Sequence, residues 1–443
     1  MAVDPVRSDI AHLYRRAGFG ATAAELDALT PAGYESAVDA LVAGLAGPDP
    51  AGDAVPRPTL ARQTGPAGPA GSAARKAQQH DLAEQFAALQ DWWLARMIAT
   101  STPLRERLAL HWHDHFATAY SKVRDPALMA EQNDAFRALG GGGFEALTVA
   151  VAKGGAMVRW LDLGTDQAAH PNENFARELL ELFTMGVGTY SQDDVTAAAR
   201  AFTGWTVDPA TGAWVVRPRR HDGGLKTFLG QTGDWGGTDI IHMAVTAPVS
   251  PRYVLARLWS AVAYPVTPAD PVVSDLVAAY GPGLDLTAAV RAALLHPAFR
   301  SPASRTGLVK GPVAWLVGAA RALGLGATVT PPHGGRPYRL AAVVTSLGQA
   351  LFDPPNVGGW GANLYWVDTA SAELRLRTAA LLAGVADLSA VTSAAAADRP
   401  DVVARMLGVD GWGPTTAAAL THAAGDPVSL VAAALTAPEA VLA

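Results

Sequence analysis

Cysteine is absent from the 443-residue chain. Its absence excludes disulfides, thiolate metal sites and a cysteine nucleophile together. It says little about the compartment, because a chain without cysteine folds equally well in reducing or oxidising surroundings. The first twenty residues also lack a basic segment followed by an apolar run. We therefore predict no signal peptide and, for the chain as written, a cytoplasmic protein.

Charge and long apolar runs are also scarce. Charged residues make up 17% of the chain and apolar residues half of it, so there is ample material for a core. No stretch of about 18 apolar residues escapes interruption by charge, proline or glycine, so we expect no membrane span. The net charge is −6, and the basic clusters Arg15–Arg16 and Arg217–Arg220 are too short for a nucleic-acid-binding face. We expect both clusters to be solvated surface or local ion pairs.

Apolar residues recur at helical spacing along most of the chain. Leu82, Phe86, Leu89, Trp93 and Met97, for example, follow each other at intervals of three and four. Between about 205 and 241 the pattern changes to two short β-rich runs around a turn, followed by a glycine-rich loop. The sequence predicts an all-α fold, a single large multi-helix domain with a small β-hairpin and loop insert at about 205–241.

Composition further divides this one helical domain, which we expect to span residues 1–443. Residues 46–72 are rich in proline and glycine and lack periodicity, which is typical of a flexible insertion. Residues 386–443 are rich in alanine and predict a C-terminal helical extension.

Several common catalytic motifs are missing. The chain has no G-x-S-x-G elbow, no Walker-type phosphate loop, no H-E-x-x-H and no G-x-G-x-x-G between a strand and a helix. Their absence removes the simplest hydrolase, NTPase, zinc protease and dinucleotide-binding interpretations.

A histidine cluster is the first candidate for chemistry. His111, His113 and His115 flank Asp114, and on a helix residues 111 and 115 share a face while His113 points about 200° away. Three ligands to one ion would need a helix end or irregular backbone here. Metal ligation and core histidines bonded to the backbone are both open interpretations of this cluster.

The segment Pro171–Phe183 is the second candidate. Asn174, Arg177, Glu178 and Glu181 fall within about 100° of one another on a helical wheel. An amphipathic helix with a solvated charged stripe explains this spacing. The alternative is that Glu178 and Glu181 project into a polar cleft, as carboxylates do in metal-binding helical bundles.

Two loops complete the set of candidates. His221, Asp222 and Lys226 lie in a glycine-rich stretch after the predicted hairpin, a plausible active-site loop that an Asp-Gly turn explains in large part. Residues 352–360 (FDPPNVGGW) are favoured as a rigid loop packed on the core.

In this order, the segments resemble a bacterial family known as domain of unknown function 1800. The matching stretches are HLYRRAGFG at 12–20, WHDHFAT at 112–118, PNENFARELLELFTMG at 171–186, AFTGW at 201–205, HD at 221–222, LW at 258–259 and PPNVGGW at 354–360. The resemblance covers about residues 10–385. It implies that His113 and His115 belong to the family motif and that His111 is a structural or incidental member of the cluster. Members often look secreted and are encoded beside a phosphatase- or sulfatase-like protein, so the resemblance implies such a partner and leaves export open.

These residues support two main functional hypotheses. The first is a metal-dependent enzyme of the hydrolase or oxygenase class, with Zn, Mn or Fe held by His113, His115, Glu178, Glu181 and His221. Glu178, Glu181, His221 and Asp222 would be its catalytic residues, with Asp222 orienting His221. The second is a non-catalytic scaffold or accessory protein in which the polar motifs form a buried structural network. A metal-free carboxylate-pair hydrolase acting on a glycan is a third hypothesis.

Overall fold

A computed structural model describes residues 4–63, 65–331 and 336–442, and these ranges are mainly helical. The helices of the first half are α1 (Pro5–Ala17), α2 (Ala23–Leu29), α3 (Tyr34–Ala43), α4 (Pro50–Asp53), α5 (Ala73–Ala99), α6 (Pro103–His115), α7 (Tyr120–Val123), α8 (Pro126–Leu139), α9 (Phe144–Lys153), α10 (Gly155–Trp160), α11 (Glu173–Glu178) and α12 (Gln192–Phe202). A π-helix, Leu179–Thr184, directly continues α11.

The second half continues in the same manner. Its helices are α13 (Gly237–Thr246), α14 (Ser250–Val262), α15 (Pro271–Tyr280), α16 (Leu286–Leu295), α17 (Pro302–Thr306), α18 (Pro312–Ala322), α19 (Leu340–Ser346), α20 (Thr369–Val385), α21 (Ser389–Thr392), α22 (Arg399–Leu407), α23 (Pro414–Ala423), α24 (Pro427–Thr436) and α25 (Pro438–Val441). Short 3-10 helices lie at Thr30–Ala32, Leu163–Thr165, Pro218–Arg220, Pro297–Arg300 and Asn363–Trp366. The predicted all-α class is confirmed.

Many helices begin where side-chain chemistry satisfies their free backbone N–H groups. Thr22 caps α2, and Glu25 bonds back to the Thr22 N–H, a reciprocal capping box. Ser191 and Asp194 form the same arrangement at the start of α12. Proline occupies the first position of α6, where its missing N–H has no cost.

The predicted hairpin insert is present. Strands β1 (Trp205–Val207) and β2 (Trp214–Val216) pair antiparallel with Thr206 opposite Val215. The sequence predicts only a loop in the glycine-rich stretch that follows. The structure shows a second hairpin there, formed by β3 (Lys226–Phe228) and β4 (Gln231–Gly233). Phe228 explains this difference, because its fully buried ring fixes β3 against the helical core. A third two-stranded sheet pairs β5 (Thr328–Val329) with β6 (Tyr338–Arg339).

The two segments set apart by composition both contact the helical body. In the 46–72 segment, of which residue 64 lies outside the described residues, Asp49 is fully buried and accepts hydrogen bonds from Thr100 and Ser101. In the C-terminal segment, α24 packs along α20. The indole N–H of Trp315 donates to the carbonyl of Leu435 at 2.9 Å. In the described residues, no helix has the length and apolar character needed to cross a membrane.

Candidate functional site

His113 lies in a closed aromatic environment on α6. Its side chain is fully buried, and neither ring nitrogen has a hydrogen-bond partner among residues 4–63, 65–331 and 336–442. Four rings surround it with centroids 5.3–5.8 Å from its own, those of Trp93, Phe136, Phe352 and Trp360. Burial lowers the pKa of His113 to about 3, so the imidazole is neutral.

His115, at the last position of α6, uses both ring nitrogens. Its Nε2 lies 2.9 Å from the carbonyl oxygen of Phe183, and its Nδ1 lies 3.1 Å from Nε of Arg257. The Arg257 N–H can only donate, so Nδ1 accepts and Nε2–H donates to the carbonyl. Burial, aided by the charge of Arg257, holds the pKa of His115 well below its ordinary value. His115 therefore ties α6 to the backbone of the π-helix.

Glu178 and Glu181 lie at the end of α11 and in the π-helix, and both are half-buried. The hydroxyl of Tyr190 donates to Oε2 of Glu181 at 3.0 Å. Burial and the neighbouring Glu181 carboxylate raise the pKa of Glu178. His115 therefore contacts the π-helix through the backbone carbonyl of Phe183, and not through the carboxylates of Glu178 and Glu181.

His221 and Asp222 have separate partners. Nδ1 of His221 donates to the carbonyl of Thr203 at 2.9 Å. The Asp222 carboxylate receives two hydrogen bonds from Arg200, at 2.7 and 3.2 Å, which lower its pKa to about 2. Asp222 is therefore bound to Arg200 instead of orienting His221. In residues 4–63, 65–331 and 336–442, no three His, Asp or Glu side chains are arranged to hold a metal ion.

A different set of motif residues converges on a cavity of about 150 Å³ between α1, α6, α14 and α18. We call it the cationic pocket. Its polar lining comprises Arg15, Arg16, Arg107, His111, Asp114, Ser260, Lys310, Gln349 and Asn363. Its apolar lining includes Leu108, Leu110, Leu258, Val262, Leu308, Val309, Trp360 and Trp366. The sequence predicts solvated surface or local ion pairs for Arg15–Arg16. The structure instead places both residues in the wall of this cavity, and Arg16 is only 3% exposed.

The pocket's four cations are held by backbone carbonyls. Arg15, Arg16, Arg107 and Lys310 donate to the carbonyls of Gly408, Ser304, Ala261 and Ala440, respectively. None of the four has a carboxylate oxygen within 4.0 Å among the described residues, although 22 pairs of an arginine or lysine with a carboxylate occur elsewhere in them. The Nε atoms of Arg15 and Arg16 are buried and have no hydrogen-bond partner in the part of the chain that the structure describes. The charges in this pocket are thus only partly satisfied.

Burial lowers the pKa of these groups without neutralising the arginines. The pKa values of Arg15 and Arg107 fall to about 10, and that of Arg16 falls to about 9. All three guanidinium groups therefore stay charged at neutral pH. Burial and the nearby arginines hold the pKa of Lys310 well below its ordinary value. The arginines alone give the cavity an excess of positive charge.

One carboxyl group faces these cations. Oδ1 of Asp114 accepts the backbone N–H of Trp360 at 2.7 Å, and burial raises the pKa of Asp114 to about 6. His111 lines the same cavity, and its Nε2 has no hydrogen-bond partner among the residues described. Burial, together with Arg257 and Arg107, lowers the pKa of His111 to about 3. The pocket therefore combines fixed cations with a neutral imidazole and an acid that titrates near neutral pH.

Sequence reasoning missed this pocket for identifiable reasons. Composition marks Arg15–Arg16 only as a short basic cluster, although the pair lies inside the HLYRRAGFG motif. Arg107 and Lys310 are single residues with no local pattern that marks them. His111, judged incidental, lines the pocket. The available signal was that several motif stretches carry polar residues. If these stretches are assumed to meet at one site, Arg15, Arg16 and Asp114 become neighbours, as they are in this pocket.

Comparison with known proteins identifies a family and no characterised relative. No curated protein and no solved structure matches the chain. A family model described as "Protein of unknown function (DUF1800)" matches residues 12–442, which include the C-terminal segment that composition had set apart. The chain belongs to this family, the protein of unknown function (DUF1800) family.

Proposed function

We propose that the protein binds an anionic ligand, one that carries a phosphate, sulfate or carboxylate group, in the cationic pocket. The observation that carries the proposal is the cluster of Arg15, Arg16, Arg107 and Lys310 around one cavity, with no carboxylate of the described residues within 4.0 Å of any of them. Removing an ion from water costs several kcal/mol unless an opposite charge or a full set of hydrogen bonds compensates it. A bound anion would supply the missing compensation.

The free donors of the pocket suit an oxyanion. A guanidinium group carries five N–H donors, and the bonds of Arg15 and Arg16 to single carbonyls leave the buried Nε of each unused. Charge-assisted bonds from arginine to phosphate or carboxylate oxygens are among the strongest hydrogen bonds in proteins. Gly311, the residue that caps α18, lines the same cavity, so the positive end of this helix dipole faces it. These features favour an anion over a neutral ligand.

Titration of the protein with inorganic phosphate and with sulfate, followed by calorimetry and thermal unfolding, tests the proposal. We expect saturable binding of one equivalent and a stabilisation that grows with concentration, about 2.7 kcal/mol at a hundredfold excess over Kd. Arg107→Met and Lys310→Met should each weaken binding at least tenfold. Arg377→Met removes an exposed arginine that pairs with Glu373, and it should bind as the wild type does.

The stability of the ligand-free variants separates binding from a structural role. Replacing Arg107 with methionine removes the desolvation cost of a buried charge, which offsets the loss of its hydrogen bond to the Ala261 carbonyl, so we expect little change in stability. If Arg107→Met unfolds more easily and still binds phosphate normally, the cations are structural. Absence of saturable binding in the wild type would equally overturn the proposal.

Metal-dependent catalysis, the first hypothesis from sequence, stays a second proposal. It is favoured by one observation, the proximity of Glu178 and Glu181, whose repulsion contributes to the raised pKa of Glu178. Plasma mass spectrometry of the purified protein tests it. About one equivalent of Zn, Mn or Fe, lost in Glu178→Gln/Glu181→Gln, would support a metal site. A metal-free protein whose stability is unchanged by a chelator would count against it.

A further inference from the structure

A short segment forms one wall of the cationic pocket and presents an apolar outer surface. Within the 3-10 helix Asn363–Trp366, Asn363 and Trp366 line the cavity. Residues three apart share a face of a 3-10 helix, so the residues between them point elsewhere. Leu364, Tyr365 and Val367 are 75%, 64% and 59% exposed. We call these three residues the apolar rim.

The apolar rim is continuous with the pocket. The ring of Tyr365 lies against Gly361, a pocket-lining residue, so closely that a Cβ atom on Gly361 would overlap it. Tyr365 also meets Trp366 edge to face, with ring centroids 5.0 Å apart. A ligand leaving the cavity past Gly361 and Trp366 would therefore reach the rim directly.

The rim is fixed in place. Oδ1 of Asn363 accepts the N–H of Val309 at 2.9 Å, and its amide nitrogen donates to the carbonyl of Gly307. Trp366 is buried beside them. The anchored backbone therefore keeps the apolar side chains of Leu364, Tyr365 and Val367 exposed to solvent. Contiguous exposed apolar side chains are typical of interaction surfaces.

The size of the cavity limits what it can hold. A cavity of about 150 Å³ is smaller than the roughly 300–1,000 Å³ of pockets that enclose a drug-sized ligand. A phosphate or sulfate group fits this space, but a larger ligand must extend out through the mouth. The exposed surface that adjoins the lining residues Gly361 and Trp366 is the apolar rim, against which an apolar extension packs better than a polar one.

We propose that the ligand is an amphiphile, with an anionic head group in the cationic pocket and an alkyl chain along Leu364, Tyr365 and Val367. This inference rests on the proposed function, because the head group occupies the same pocket. The cations fix the head group through directional hydrogen bonds, whereas the rim binds the chain through loss of apolar surface from water.

Calorimetric titration with inorganic phosphate, butyl phosphate and octyl phosphate tests the inference, with each alkyl phosphate kept below its aggregation concentration. A fully buried methylene strengthens binding about fourfold. For a chain that lies half-buried on the rim, we expect octyl phosphate to bind at least tenfold more tightly than butyl phosphate. Inorganic phosphate should bind most weakly.

A matched pair of double variants locates the chain. Leu364→Ser/Val367→Ser should abolish the advantage of octyl phosphate and leave the affinity for inorganic phosphate unchanged. Val187→Ser/Leu225→Ser removes two apolar side chains elsewhere that are 77% and 69% exposed, and it should behave as the wild type does.

The outcomes distinguish the two proposals. Equal affinity for inorganic and octyl phosphate would overturn the amphiphile and leave anion binding intact, whereas binding of neither would remove both. An octyl advantage that survives Leu364→Ser/Val367→Ser also overturns the inference, because the chain then lies elsewhere. Size-exclusion chromatography covers a further outcome: a wild-type dimer that the rim variant dissociates would make the rim an interface between copies, which contradicts the inference.

Discussion

The buried charges of this protein fall into two classes that differ residue by residue. Glu106 is fully buried and receives hydrogen bonds from Arg96 at 2.6 Å, from Arg137 at 2.5 and 3.1 Å, and from the Trp93 indole at 3.0 Å. Burial alone would raise the pKa of Glu106, but the two arginines hold it below its ordinary value. The pocket cations lack such partners, which is why we assign a ligand to them and a structural role to Glu106.

Glu106→Gln tests that structural role. The variant keeps the side-chain shape but removes the carboxylate that Arg96 and Arg137 share, so that Arg96 keeps only its ion pairs with Asp49 and Asp53, and Arg137 only its ion pair with Asp134. The loss of these charge-assisted hydrogen bonds is expected to cost about 2–3 kcal/mol. Urea unfolding at pH 7 measures the loss. Glu373→Gln, which affects an exposed pair with Arg377, should cost less than about 1 kcal/mol. A loss below about 1 kcal/mol in Glu106→Gln would contradict the assignment.

The pH dependence of the same variant follows from the direction of the pKa shift. A carboxyl group whose pKa is lower in the folded chain stabilises it above the unfolded pKa of 4.5. This stabilisation is lost as pH falls through the lowered, folded pKa. The difference between wild type and Glu106→Gln should therefore be largest at neutral pH and shrink in acid.

At the scale of elements, helix α6 explains what the sequence could and could not predict. The helical wheel correctly separates His113 from His111 and His115. It cannot identify their surroundings, because Trp360, Phe183 and Arg257 come from distant parts of the chain. The π-helix is equally invisible to the wheel, since its pattern of apolar residues fits an ordinary helix.

The bond between α6 and the π-helix carries the next prediction. His115→Phe keeps a ring of similar size but leaves the Phe183 carbonyl without its donor and the Arg257 N–H without its acceptor. We expect a loss of about 2 kcal/mol in urea unfolding, since each unsatisfied buried group costs about 1–3 kcal/mol. His80→Phe changes an exposed histidine and should have almost no effect. If added Zn or Mn stabilises the wild type but not His115→Phe, the metal-ligand role of His115 would be favoured instead.

At the scale of the whole molecule, the cationic pocket depends on residues from both ends of the chain. Arg15 comes from α1, Lys310 precedes α18, and their carbonyl partners at Gly408 and Ala440 lie in the C-terminal segment. Periodicity and turn signals predict the helices and the first hairpin because that information is local. The pocket could not be predicted, because it arises only when these distant helices pack together.

The C-terminal segment therefore provides the last test, on whether it is an extension or part of one domain. Truncation to residues 1–385 removes α24 from its place on α20 and the Leu435 carbonyl that Trp315 uses. It also removes the carbonyl acceptors of Arg15 and Lys310. We expect the full chain to unfold in one calorimetric transition and the truncated chain to lose this transition and phosphate binding together. A truncated chain that unfolds cooperatively near the wild-type temperature would make residues 386–443 a separable extension. In that case the remaining helices would suffice to form the core. The bonds of Arg15 and Lys310 to the Gly408 and Ala440 carbonyls would then not be needed for folding.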